Sequence, residues 1–62
     1  MDDRSHIVNA YGELVEQLFR VFFSSYTAAQ GNTDEEHGAE QRFKAGLVHA
    51  RHVRDRALAL LP

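Results

Sequence analysis

Apolar side chains return every three or four positions through the first half of the chain. Val8, Tyr11, Val15, Leu18, Phe22 and Ala29 fall on one stripe at about 100° per residue, the period of an α-helix. Ile7, Leu14, Val21 and Ala28 form a second column beside it, and Phe19 and Tyr26 flank its other edge. Asn9, Glu13, Glu16, Gln17, Arg20 and Thr27 gather on the far face. The pattern predicts a helix over about residues 4–29. Its apolar arc covers about half the cylinder, wider than the stripe of about 100° on an ordinary surface helix. One neighbouring helix cannot cover that arc, so a second chain is expected to share the work.

The second half has a different seam. Ala39, Phe43, Gly46, Ala50, Val53, Ala57 and Leu60 alternate spacings of four and three, a heptad pattern filled largely with small residues. It predicts a helix over about 34–61, with Leu47, Leu58 and Leu61 widening the apolar face. Small side chains let two helix axes approach, and the Phe and Leu side chains of the first helix are matched to the grooves left open.

Between the two lies Gln30-Gly31-Asn32-Thr33, the predicted turn. Gly31 is placed to take the left-handed conformation that ends a helix. Thr33 with Glu36 reads as a capping box, and Asp34 and Glu35 add negative charge to the first turn. So short a connection dictates an antiparallel hairpin. Gly12, Gly38 and Gly46 each weaken a helix by about 0.8–1.0 kcal/mol relative to Ala. Gly46 has a place in the seam, and Gly12 would have one if two chains cross there. Gly38 has none, so the start of the second helix is expected to fray or kink.

Composition sharpens the picture. The chain has 62 residues and no cysteine, so neither disulfides nor thiolate-held metals can staple it. At 44% hydrophobic it is too apolar for a disordered tail. The expected fold is all-α: one helical-hairpin domain over 1–62, paired with a second copy as a dimeric four-helix bundle. Its core is expected from Val8, Tyr11, Val15, Leu18, Phe19, Phe22, Phe43, Gly46, Ala50, Val53, Ala57 and Leu60. The plan resembles that of Rop-type bundle proteins, in which a two-helix chain with a mid-chain turn pairs into four helices. The likeness is one of plan and carries over no residue role.

The net charge of −2 is unevenly spread. Eight of the nine acids precede residue 41, whereas Arg42, Lys44, Arg51, Arg54 and Arg56 follow it against Asp55 alone. The acidic start lacks the basic region of a signal peptide, and no apolar run is long enough to span a bilayer. A cytoplasmic protein is expected. Arg42, His49 and Arg56 form a row at spacing seven along the seam, with Arg51 on its other side; these four are the candidate contacts for a phosphate backbone or a partner protein. Arg54 lies close to the seam and, if buried, is expected to pair with a glutamate of the second chain.

His49 and His52 are three apart, a spacing at which two imidazoles can share a metal ion. Three nearby arginines oppose a cation, and no inward Glu-x-x-His constellation supports one, so no metal or cofactor is expected. No nucleophile elbow or phosphate loop is present, and a hairpin offers no concave pocket of its own. The expectation is a non-enzymatic homodimeric interaction or regulatory module. Nucleic-acid binding through the basic face and metal binding through the histidine pair are the alternatives.

Overall fold

A computed structural model describes residues 2–62. It contains two helices, α1 (Asp3–Ala28) and α2 (Thr33–Ala59), packed against each other as a hairpin. The Cα trace spans 48 × 18 × 6 Å, a flat slab one helix thick.

Each helix begins on a side-chain cap. Asp2 accepts a hydrogen bond from the backbone N–H of Ser5 at 2.8 Å, and this bond holds its carboxyl below the usual aspartate value. A lowered value means the cap persists while the carboxylate is charged and is lost as pH falls through that value. The second cap is Asn32, whose side chain accepts from the N–H of Glu35 at 3.0 Å. The expected capping box at Thr33 and Glu36 does not form, because Thr33 is already the first helical residue and Asn32 supplies the oxygen. The turn accordingly runs from Ala29 to Asn32, one residue earlier than expected, and is closed by Asn32 N–H donating to the Ala29 carbonyl at 2.9 Å. Gln30 and Gly31 both take left-handed conformations, with φ of 50° and 83°. Gly31→Ala places a side chain in that region and is expected to cost about 1–2 kcal/mol, read as a lower melting temperature.

Neither fraying nor a kink interrupts α2 at Gly38. The Arg42 guanidinium lies back over that glycine, where an added Cβ would meet it at 3.3 Å.

The residues sheltered where the helices meet include Ile7, Tyr11, Val15, Leu18, Phe22 and Ser25 of α1 with Ala29 just after it, and Ala39, Phe43, Gly46, Ala50, Arg54 and Ala57 of α2 with Leu61 just after it. The first four residues of the α2 seam are those the heptad pattern predicts. Beyond Ala50 the seam departs from it: Arg54 and Leu61 turn inward, while Val53 and Leu60 are 50% and 73% exposed. Val8 likewise stands outside the contact and Ile7 takes its place. The cause is helix geometry. Positions 39, 50 and 61, 43 and 54, and 46 and 57 are each eleven apart, the spacing natural to a nearly straight helix. A heptad seam drifts by about 20° per repeat unless the helices supercoil to follow it.

The helices close tightly at one place. An added Cβ on Gly46 would lie 2.9 Å from a Leu18 methyl, so Leu18 occupies the space that the glycine leaves. One helical turn nearer the loop, Phe22 stacks on Phe43 at 4.8 Å and packs against Tyr26 at 5.5 Å. Yet burial is shallow. Among the described residues the only buried apolar ones are Ala29, Ala39 and Ala50, none more than 5% exposed, and no large side chain is fully enclosed.

Candidate interaction surface

The flat shape gives the hairpin two broad sides. At 100° per residue Val8, Phe19, Phe23 and Tyr26 turn to one side of the α1 seam, and Leu14 and Val21 to the other. In antiparallel helices the same sense of rotation leads to the same side, so Glu36, Glu40, Leu47, Arg51 and Leu58 of α2 join the aromatics. Val53, Leu60, Arg42, His49 and Arg56 join Leu14. Surface depressions follow this division. Phe19, Phe22, Phe23 and Tyr26 share one with Glu40, whereas Ile7, Ala10 and Leu14 share a hollow of about 220 Å³ with Ala50, Val53 and Ala57.

Phe19 and Phe23 are 53% and 60% open, with Val8 and Tyr26 exposed beside them and Val15, Phe22, Leu47 and Leu58 half-buried between the helices. Phe19 and Phe23 lie with ring centroids 6.2 Å apart, a tilted pair facing solvent. Contiguous apolar surface of this kind marks interaction sites on soluble proteins. Of the residues expected in a core, Val8, Phe19, Val53 and Leu60 are thus exposed on the single hairpin, and the others line the contact between its helices.

Arg54 finds its partners within its own chain. Its Nη2 and Nε both lie 2.9 Å from Asp55 Oδ1, and its guanidinium stands 4.5 Å over the Tyr11 ring. A side chain still 29% exposed does not meet the condition of burial on which a glutamate of a second chain was expected, and the ring face supplies cation–π attraction.

The four basic candidates do not form one patch. Arg42, His49 and Arg56 line the side carrying Leu14 and Val53, and Arg51 lies on the aromatic side. None of Arg42, Arg51 and Arg56 makes an ion pair within 4 Å among the described residues. His49 and His52 are both exposed, and among the described residues no group of three or more His, Asp or Glu side chains gathers. The remaining Glu16–Arg20 ion pair at 3.6 Å is solvent-exposed and contributes little, and His37 Nδ1 lies 3.9 Å from Glu40, also in the open. Among the described residues no helix is long and apolar enough to cross a membrane.

Comparison with protein families, with characterised proteins and with solved structures finds no match to this chain. What the arrangement can do rests on its own geometry. It presents two apolar sides, one rich in aromatic rings and one edged by cations, on a frame too thin to enclose either.

Proposed function

We propose that the chain acts as a small non-enzymatic helical module that pairs with a second copy, giving a homodimeric four-helix bundle for interaction or regulation. The observation that carries this reading is the missing core: among the described residues only alanines are buried, while Phe19, Phe23, Val21, Val53 and Leu60 stand at least half exposed. The area agrees. The hairpin exposes 4873 Å². A compact monomer of this mass exposes about 4,000 Å². The excess of roughly 800 Å² is what one partner buries in a standard protein–protein interface.

Sedimentation or light scattering is the test. A dimeric mass is expected, with a melting temperature that falls on dilution, because association stabilises the folded state by mass action. A compact lone chain whose melting is independent of concentration overturns the reading.

A further inference from the structure

We infer that the second copy docks on the aromatic side with its turn at the opposite end, so that α1 lies on α1 and α2 on α2, each pair antiparallel. This rests on the self-association proposed above and adds to it a face and an orientation. The argument comes from charge. On the aromatic side of α2 the acids Glu36 and Glu40 lie towards the turn, while the cations Lys44 and Arg51 lie near the middle and towards the far end. Glu40 and Arg51 are eleven residues apart, about 16 Å along the helix, too far to pair within one chain. Turning a second copy end for end brings Glu40 over Arg51 of the second copy, and the two-fold axis repeats the pair.

The same rotation orders the apolar residues. Within the hairpin Leu18 meets Gly46 and Phe22 meets Phe43, which fixes the level of each α1 residue against α2. An axis that pairs Glu40 with Arg51 therefore passes beside Phe19, setting Phe19 against Phe19 and Val15 against Phe23 of the second copy. Gly12, where an added Cβ would touch nothing within 4 Å, comes opposite Tyr26 of the second copy, which accounts for a bare glycine in the middle of α1. With the turns at the same end instead, α1 would lie on α2. Glu36 and Glu40 would then sit over the Phe22–Tyr26 end of the second copy, without a cation. The other side is less suited to self-pairing, since the same rotation there sets Arg42 against His49 of the second copy.

The absence of cysteine makes the test direct. Phe19→Cys and Leu47→Cys, prepared as separate full-length proteins, are each expected to form self-linked disulfide dimers on mild oxidation. With turns at the same end, neither protein links to itself efficiently and only a mixture of the two links, which overturns the orientation. A charge-reversal pair guards against loss of folding at those positions. Glu40→Arg is expected to raise the dimer dissociation constant roughly tenfold, since two exposed pairs are lost and like charges meet in their place. Glu40→Arg with Arg51→Glu is expected to restore it. A dimeric mass with no rescue by the second change overturns the docking geometry and leaves self-association standing. A monomeric mass for the unaltered chain overturns both.

Discussion

Ala50→Leu is expected to remove most of the helical signal in far-ultraviolet circular dichroism at room temperature, or to shift the chain to a different mass. Ala50 is one of three buried residues among those described and sits where α2 faces α1. A leucine there has no space to enter without pushing the axes apart. Overpacking a closed site costs about 1–3 kcal/mol and occasionally more. That is a large share of what so small a domain has in reserve. Separation also lifts the Leu18 methyl away from Gly46, so two contacts fail together. Ala45→Leu makes the same chemical change at an exposed position on the same helix and is expected to leave melting and mass nearly unaltered. Equal behaviour of the two variants would remove Ala50 from the helix contact.

Phe22→Ala is the second large effect. Its ring stacks on Phe43 with an interplanar angle of 22° and meets Tyr26 on its other flank, joining the two helices near the turn. Aromatic pairs of this kind contribute about 0.5–1.5 kcal/mol beyond their buried area. Truncating a core phenylalanine costs about 3–5 kcal/mol. Because Phe22 remains half-buried, a loss of about 2–3 kcal/mol is expected, a fall in melting temperature on the order of 10–20 °C for a domain this short. Phe22→Leu, which keeps the bulk and loses the stacking, is expected to fall between. A decrease under about 3 °C for the alanine variant would mean that the aromatic contact contributes little.

Both helices and the turn between them are legible in the sequence, because their signals are local. Apolar spacing over more than twenty residues defines α1, and Gly31 adopts the left-handed conformation its position calls for. The wide apolar arc on α1 likewise reappears as Phe19, Val21 and Phe23 left open to solvent. What could not be read is phase. A seam of fours and threes fits a heptad as far as Ala50, and only a straight helix carries it on to Arg54 and Leu61. The caution against a heptad lay in the sequence all the same, since Ala39, Ala50 and Leu61 are already eleven apart. The Thr33 capping box failed for a similar reason: Asn32 and Thr33 are both good caps, and one residue of turn length chooses between them. Arg54 was harder, because its pairing depends on the facing Tyr11, which the sequence pattern of α2 alone does not bring to it.

The fit of Leu18 into the space at Gly46 has a consequence for alignment. A ladder of alanines is smooth and repeats itself, so by itself it would let one rod creep along the other. The leucine methyl acts as a detent: moved a single turn in either direction it strikes the Phe43 ring or the Ala50 methyl, and the axes must part. Longitudinal position is therefore held near the middle of the rods and not by the tether at their end, and a longer tether would leave the two halves in step.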